Sequence, residues 1–230
     1  MNSKKAIRFF FFVLLSLPKT IVFNFLTLPI RQAIKLPILI GYNVRIESAH
    51  RGVISFSEDT PVRSLMIRIG FGGTRVIVPN RYGVINIDKG TLIFHGQATF
   101  AAGSTLDCSG HLEIGNHFST NRNAFVSCSN EVVIGDNVML GWGVTIFDAN
   151  GHTVYYKGEP KKSQVPIHIG NHVWLCSNSQ ILKGAEIGNG SIVAWGSILT
   201  KTVNKSNILI AGIPAKEIQE DISWGPFIGI

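Results

Sequence analysis

At 230 residues the chain is long enough to bury a core of its own, and its length fits one or two domains. A hydrophobic fraction of 45% with 24 glycines and 9 prolines excludes a disordered or collagen-like chain and favours a turn-rich β protein. The net charge of +7 is concentrated at one end: residues 1–47 carry seven basic and one acidic side chain (+6), and residues 48–230 carry 14 and 13 (+1). No nucleic-acid-binding surface is therefore expected on the main body.

The first 47 residues are the most apolar part of the chain as well as the most basic. They contain the runs FFFFVLLSL from residue 9 and TIVFNFLTLPI from residue 20. The longest uncharged run ends at Pro18 and Lys19, short of the about 20 apolar residues that a helix needs to cross a bilayer. We expect a peripheral membrane anchor that lies in the interface, with aromatic and aliphatic groups inserted and Lys and Arg facing anionic headgroups.

Three other interpretations of residues 1–47 stay open. A secretory signal peptide would fit the basic start and the apolar run, but no small-x-small cleavage site follows. A spanning helix from about Phe9 to Ile30 would have to carry Lys19, Asn24 and a proline. The segment could instead pack against the body or against a neighbouring subunit.

Residues 48–213 are expected to form the main domain. Residues 48–83 are rich in β-forming residues but poorly phased, and we expect them to form the capping coils. Farther along, large apolar side chains recur every six residues, with two slips of two residues that we interpret as longer turns between flat faces. The recurring residues are Phe94, Phe100, Leu106 and Leu112, then Ile114, Thr120, Val126 and Val132, then Ile134, Leu140 and Ile146.

The regular period stops over residues 148–167. This stretch, which begins DANGHTVYYKGE, is polar, proline-punctuated and without periodicity. A long loop inside a compact repeat is usually functional. It contains His152, and an imidazole can take up and release a proton near neutral pH.

Beyond this loop the six-residue period runs without a miss. The recurring aliphatic residues are Ile169, Leu175, Ile181, Ile187, Val193 and Leu199. Four positions after each comes a small or β-branched residue: Val173, Ser179, Ala185, Ser191, Ser197 and Val203. Neither a helix nor simple alternation produces this period. It predicts a solenoid in which each six-residue unit is a short strand plus a turn, three units close a triangular coil, and the aliphatic residues stack inside.

Residues 214–230 form a tail in which PAKEIQEDISW, after Ile213, predicts a short amphipathic helix packed on the end of the solenoid. The three cysteines, Cys108, Cys128 and Cys176, show no CxxC pair and no metal-ligand spacing. They are predicted to be small buried thiols. Nothing in this usage demands an oxidising compartment, so we expect a cytoplasmic protein, peripheral on the inner face of the membrane.

The hexad pattern, with IGNHVWLCSNSQILKGAEIGNGSIVAWGSILTKTV and the following IAGIPAK, resembles the left-handed β-helix (hexapeptide-repeat) acyltransferases. Within that family it is most similar to the maltose/galactoside and the capsule/lipopolysaccharide O-acetyltransferases. The resemblance is dense over about residues 112–218. It implies an all-β fold, a left-handed parallel β-helix that assembles as a homotrimer. It also implies that acetyl-CoA binds in the groove between adjacent subunits and that no metal is used.

The resemblance also implies roles for individual residues. His152 matches the general base on the family's protruding loop, and Asn121 matches a position that helps to hold the acceptor sugar. Asn123 is an alternative match, because the coil phase slips nearby. Asp148 could orient the imidazole or could form an Asx turn at the end of a strand, and both interpretations stay open.

For the acetyl donor, the resemblance implies that pantetheine runs along the C-terminal coils and that lysines contact the phosphates. The residues expected to contact the donor are Trp174, Ser177, Gly196, Ser197, Thr200, Lys201 and Lys216. Trp174 is also expected to line the subunit interface beside His152. Trp195 departs from the small residue of many relatives, and its side chain could narrow the groove, stack on a ligand or pack outside.

Taken together, these features predict an O-acetyltransferase that transfers acetyl from acetyl-CoA to a sugar hydroxyl of a surface polysaccharide or its precursor. The attack is expected to be direct, with His152 as the base, because no cysteine or serine is placed as a covalent nucleophile. The alternatives are N-acetylation of an amino sugar or an antibiotic, and a non-catalytic solenoid scaffold. His168 and His172 have HxxxH spacing, but they flank a strand, so no metal site is expected there.

Overall fold

The structure is a computed structural model that describes residues 3–74, 76–80 and 82–225. Two helices, α1 (Ser3–Thr27) and α2 (Ile30–Ala33), come first. The strands that follow wind into a coil that passes through three flat faces per turn.

The successive coils are as follows. The first contains β1 (Ile38–Ile40), β2 (Val44–Ser48) and β3 (Ile54–Phe56); the second, β4 (Ile67–Ile69), β5 (Gly83–Ile87) and β6 (Thr91–Phe94). The third contains β7 (Ala98–Phe100), β8 (Thr105–Cys108) and β9 (His111–Ile114); the fourth, β10 (Phe118–Thr120), β11 (Phe125–Cys128) and β12 (Glu131–Ile134). The fifth contains β13 (Met139–Leu140) and β14 (Thr145–Phe147), then the short strands β15 (Tyr155–Tyr156) and β16 (Glu159–Pro160), then β17 (Ile167–Ile169). The sixth contains β18 (Trp174–Leu175), β19 (Gln180–Leu182) and β20 (Glu186–Ile187); the seventh, β21 (Ile192–Val193) and β22 (Ile198–Leu199). The chain then forms β23 (Leu209–Gly212) and β24 (Ala215–Gln219).

The strands sort into three long sheets by their order within each coil. The first strands form a nine-stranded sheet A that also includes β23 and β24, the second strands form a seven-stranded sheet B, and the third strands form a six-stranded sheet C. Pairing is parallel between coils, so that Val126 lies opposite Leu106 on one side and Ile146 on the other. Backbone amides of the strands are thereby paired with the next coil, and side chains of one kind stack in columns.

The predicted inward positions form the core. All six aliphatic residues of the downstream repeat are at most 3% exposed, and five of the six small residues that follow them are at most 2% exposed. The two slips, however, are not longer turns as predicted. They lie inside β9 and β12, each of which has two inward positions two residues apart. Leu112 and Ile114 both point into the core from β9, as do Val132 and Ile134 from β12.

The solenoid begins earlier than predicted, because β1 and β2 already belong to sheets A and B within residues 1–47. The helix α1 covers the free edge of β1. Asn24 accepts a hydrogen bond from the Ile38 amide (3.1 Å) and donates one to the Ile38 carbonyl (2.7 Å). The Thr20 hydroxyl likewise accepts a hydrogen bond from the Ile40 amide (3.0 Å) and donates one to the Ile40 carbonyl (3.3 Å). The side chains of the helix thus replace the strand that an infinite solenoid would have there.

The other end of the solenoid is closed by a hairpin, so the predicted C-terminal helix is wrong. β24 folds back antiparallel on β23, with Ala211 opposite Lys216. The Lys205 ammonium makes ion pairs with Glu217 (3.3 Å) and Glu220. A hairpin is favoured here because it pairs the last open edge of sheet A, which a helix would leave to solvent. Residues 226–230 of the predicted tail lie outside the described residues.

Candidate active site

The predicted loop is an arm that leaves the fifth coil at the corner between sheets B and C. At its base the Asn150 amide donates to the Ser163 carbonyl (2.8 Å) and the Val165 amide to the Asp148 carbonyl (3.0 Å). The strands β15 and β16 pair antiparallel farther out, and both are exposed. The arm is therefore a hairpin with a closed stem, which gives its side chains a fixed position relative to the coil.

His152 lies near the stem of this arm and is exposed. Among the described residues, no side chain or backbone group forms a hydrogen bond with its imidazole. Both ring nitrogens are thus free to meet a substrate from outside this chain. The structure keeps His152 as a candidate base but gives it no orienting partner within the protomer.

Asp148, the predicted partner of His152, has a different task. Its carboxylate is completely buried and accepts hydrogen bonds from the amides of Ser129 (2.8 Å), Asn130 (2.7 Å) and Glu131 (2.9 Å). These amides form the turn of the preceding coil. Asp148 is therefore neither the orienting partner of His152 nor the predicted Asx turn, because its carboxylate oxygens bind amides of the preceding coil.

A second loop, described at residues 70–74, 76–80 and 82, covers the corner between sheets A and B, and sequence reasoning missed it. Asn121 accepts a hydrogen bond from the Thr74 amide (2.8 Å), and its own amide group donates to the Thr74 hydroxyl (2.7 Å). Asn123 similarly accepts from the Asn80 amide (2.8 Å) and donates to the Val78 carbonyl (3.1 Å). Both asparagines therefore hold the loop in this structure through their side-chain amides.

The close approach of this loop explains one glycine in its sequence. Gly73 has φ +82°, and a Cβ there would come within 2.7 Å of the Arg122 side chain and 3.0 Å of Ala101. The pair Gly72-Gly73, between Phe71 and Thr74, was the only local signal that the chain turns tightly here.

Two tryptophans extend the same corner toward the C-terminal coils. The Trp142 indole donates to the Thr74 hydroxyl (3.0 Å) and meets the Trp195 ring edge to face, with centroids 5.8 Å apart. Trp195 is 61% exposed. The Trp195 side chain lies outside the coil against Trp142, and its open ring face leaves room for a ligand.

The predicted pantetheine contacts lie at this corner too, in the sixth and seventh coils. The amides of Gly196 and Ser197 are already used, since they donate to the carbonyls of Ser177 (3.1 Å) and Ala194 (3.2 Å). The Ser177 and Trp195 amides have no hydrogen-bond acceptor in the part of the chain that the structure describes. The free donors at this corner are therefore Ser177 and Trp195 rather than Gly196 and Ser197.

The remaining predicted donor contacts lie elsewhere on the protomer. Thr200 and Lys201 follow β22 at the corner between sheets B and C, and Lys216 is exposed on β24. Trp174 points outward from sheet A toward Trp224, with ring centroids 6.1 Å apart. The structure does not bring the predicted donor residues together within one protomer.

Four of the other histidines, His95, His111, His168 and His172, have side-chain partners. His168 contacts Glu131 (2.8 Å), whereas His172 stacks on the Trp224 ring at 4.2 Å. His95 and His111 both contact Glu113 at 2.7 Å, which lowers the pKa of that carboxyl, with the His111 hydrogen bond as the largest cause. Within residues 3–74, 76–80 and 82–225, no group of three metal-ligating side chains occurs.

The three cysteines are free thiols, and the pKa is raised for Cys128 and Cys176 but lowered for Cys108 by its hydrogen bond with Cys128. Cys108 and Cys128 lie opposite each other on β8 and β11, both buried. The hydrogen bond with Cys108 and burial raise the pKa of Cys128, and burial raises the pKa of Cys176 to about 11. Thiols of this kind stay protonated at neutral pH.

Seven stacked triangular coils with a six-residue period make up this fold. Residues 166–201 match the family described as "Bacterial transferase hexapeptide (six repeats)". The predicted left-handed parallel β-helix is confirmed by this match and by the fold of the polySia specific acetyltransferase NeuO, at a TM-score of 0.58 and 21% identity over 84% of this chain and 81% of that one.

Two curated relatives are informative. Galactoside O-acetyltransferase of Escherichia coli (strain K12) is 36% identical over 112 residues, which are 48% of this chain and 54% of the relative. A protein of the same organism, provisionally named as the lipopolysaccharide biosynthesis O-acetyl transferase WbbJ, is 27% identical over 68% of this chain and 84% of the relative. The chain spans about half the length of the first curated relatives it matches.

Proposed function

We propose that this protein is an acetyl-CoA-dependent O-acetyltransferase that acts on a sugar hydroxyl of a surface polysaccharide or its precursor. The observation that carries the proposal is the rigid arm that holds an unpaired His152 outside a hexapeptide-repeat coil. The names of the two Escherichia coli relatives, one for galactosides and one for lipopolysaccharide, support acetyl transfer to a carbohydrate.

The reaction needs one base and no covalent intermediate. The acceptor oxygen attacks the thioester carbonyl carbon of acetyl-CoA while His152 takes the hydroxyl proton. A carbon–oxygen bond forms and the carbon–sulfur bond breaks. The proton then passes from the imidazolium to the departing CoA thiolate, which leaves an acetyl ester and CoA. The raised pKa values of Cys128 and Cys176, and the burial of Cys108 inside the coil, support direct attack over an acetyl-cysteine intermediate.

A homotrimer is part of this proposal. In one protomer the free amides of Ser177 and Trp195 lie at the corner between sheets A and B, whereas the arm leaves the corner between sheets B and C. Packing of solenoids side by side would let the arm of one protomer close over the donor groove of the next. The free ring nitrogens of His152 are consistent with a site completed by a neighbour.

The central test is His152→Ala. Loss of the base is expected to lower kcat by about 100-fold or more, with KM for acetyl-CoA nearly unchanged. Release of CoA thiol is measured with galactosides, maltosides, nucleotide sugars, lipid-linked sugars and aminoglycosides as acceptors. His117→Asn is the matched control, because His117 is exposed on a turn at φ +57°, a conformation that asparagine tolerates.

Three outcomes would contradict this proposal. Near-normal turnover by His152→Ala would remove His152 as the base, and an isolable acetyl-enzyme would remove direct attack. Transfer to aminoglycosides or amino sugars alone would favour N-acetylation. Absence of turnover with every acceptor, together with no CoA binding, would favour a non-catalytic scaffold.

A further inference from the structure

Helix α1 has the reverse of the usual surface-helix pattern: its polar residues face the protein and its apolar residues face outward. Its polar residues Ser16, Thr20, Asn24 and Thr27 are fully buried against the solenoid. Its opposite face is apolar and open. The outward residues are Phe10, Phe11, Leu14, Leu15, Ile21, Val22, Phe25 and Leu26, with Ile30 and Ile34 continuing the surface beyond the helix, and their exposed fractions run from 38% to 66%.

The orientation of α1 is fixed by hydrogen bonds rather than by chance packing. Ser16 accepts from the Tyr42 amide (3.0 Å), and the Lys19 ammonium donates to the carbonyls of Tyr42 (2.8 Å) and Val44 (2.7 Å). Together with the Thr20 and Asn24 bonds, these contacts occupy the free edge of β1 along its whole length. Rotation of the helix to hide its apolar face would leave that edge unpaired.

The outward face is too large and too apolar for ordinary contact with water. Soluble proteins rarely expose a contiguous apolar surface of this extent unless it meets another molecule. The side chains of Arg31 and Lys35, on and just beyond α2, are exposed beside Ile30 and Ile34. With the +6 charge of residues 1–47, this edge combines insertion groups with cations, which is the chemistry of an anionic lipid surface.

We propose that the outward face of α1 lies in the interface of an anionic membrane, with the helix parallel to the bilayer plane. By length and composition Phe9–Thr27 could also cross a bilayer. Signal sequences and some core helices of soluble proteins have the same length and composition. The bonds of Thr20 and Asn24 to β1 oppose that alternative, because a spanning helix would have to leave the solenoid. Since α1 covers the first coil, the solenoid axis stands upright on the membrane.

Flotation of the full-length protein with vesicles tests the proposal. Vesicles of equal parts phosphatidylglycerol and phosphatidylcholine are compared with vesicles of phosphatidylcholine alone. Leu15→Gln/Val22→Gln/Leu26→Gln removes outward groups, keeps good helix formers and leaves every bond to β1 in place. We expect the wild type to float with the anionic vesicles and this variant to lose at least tenfold in partitioning.

Two variants serve as comparisons. Ile213→Gln/Ile218→Gln removes exposed apolar groups at the opposite end of the solenoid, where the two side chains are 72% and 61% exposed, and is expected to float like the wild type. Arg31→Gln/Lys35→Gln is expected to weaken binding to the anionic vesicles by about fivefold per charge. His152→Ala is expected to float normally, so that failure of the proposed activity and failure of membrane binding can be told apart.

The proposal is overturned if the wild type does not float, or if the triple glutamine variant floats equally well. It is also overturned if the wild type forms assemblies through α1 that the triple variant abolishes without any vesicle binding, which would make the occupant a second copy of the chain. Resistance of bound protein to alkaline carbonate extraction would indicate a spanning helix instead.

Discussion

Asp148 and His152 are only four positions apart in the sequence, yet the acidic and the basic side chain have different roles. Asp148 is buried where the chain leaves β14, and its carboxylate gathers three amides of the neighbouring turn. Carboxylates that accept several backbone N–H bonds are strong local anchors. Asp148 therefore fixes the root of the arm, and His152 gains its position from that root without touching it.

Asp148→Asn tests this division of roles. The amide group of asparagine would face at least one backbone donor, and the charge would be lost, so we expect the free energy of unfolding to fall by about 2–3 kcal/mol. Urea denaturation at matched protein concentration measures the change. The kcat of the folded enzyme should stay within about threefold of the wild type. Unchanged stability with a loss of kcat like that of His152→Ala would instead make Asp148 a catalytic partner.

Cys176 provides a pH-dependent prediction. Its pKa of about 11 lies above the ordinary 9.0, so the folded state holds the thiol proton more tightly than the unfolded state. This stabilisation is present below pH 9 and is lost as the pH rises through 11. At pH 8 the thiolate fraction falls about 100-fold, so iodoacetamide should modify the native protein about 100-fold more slowly than the unfolded chain. Rapid native alkylation that abolishes activity would contradict the absence of a reactive thiol.

At the scale of elements, α1 is a side-chain cap on a β-sheet edge. A helix cannot continue a sheet with its own backbone, whose groups are paired internally. Residues spaced by four lie on one helical face, and Ser16, Thr20 and Asn24 have that spacing. The short side chains of Thr20 and Asn24 reach the outward amides and carbonyls of β1, and Ser16 accepts from the Tyr42 amide just beyond the strand.

Asn24→Leu is expected to break this cap locally. The Ile38 amide and carbonyl would both be left buried without a partner, at a cost of about 1–3 kcal/mol for each group. Hydrogen exchange of β1 should accelerate, whereas exchange in sheet C of the fifth coil should be unchanged. Leu26→Gln, on the outward face of the same helix, is the control and should leave β1 protected. Unchanged protection in Asn24→Leu would show that packing alone holds α1.

At the scale of the whole molecule, the solenoid sets the distance between its first coil and the arm. Four steps from β1 to β13, each of about 4.8 Å, amount to about 19 Å. The helix adds a diameter of about 10 Å. If α1 lies in the membrane interface, His152 therefore stands roughly 20–30 Å from the lipid headgroups.

This distance predicts a preference among lipid-linked acceptors, if both the proposed activity and the membrane orientation hold. On anionic vesicles, acceptors whose target sugar lies several residues from the lipid should be acetylated faster than acceptors whose target sugar is joined directly to it. The same sugars released from lipid should show little difference. An equal rate for both lipid-linked acceptors would contradict the upright orientation while leaving the activity itself intact.

Assembly is the last feature at this scale. Three copies of the 25.1 kDa chain would give a particle of about 75 kDa, which light scattering in mild detergent can measure. In a trimer with parallel axes, three α1 helices would lie at the same end and bind one membrane together.

Much of the fold was predictable because the hexad is a local rule repeated in every coil. The columns from Ile169 to Leu199 could be read from spacing alone, since each turn places its aliphatic residue in the same environment. The arm was predictable because the six-residue period stops over residues 148–167. Its histidine could be named as a candidate, but its freedom from partners within the protomer could not.

What the sequence left open depends on contacts between distant turns. Asn24 counted against a spanning helix, but only the structure shows that it pairs the edge of β1. The hydrogen bond from Trp142 to Thr74 joins residues that are 68 positions apart in the sequence, and neither residue carries a local sign of the other. Repetition along the chain determined the coil, whereas the stacking of coils decided which polar groups meet, because hydrogen bonds between turns depend on position in space rather than on neighbours in sequence.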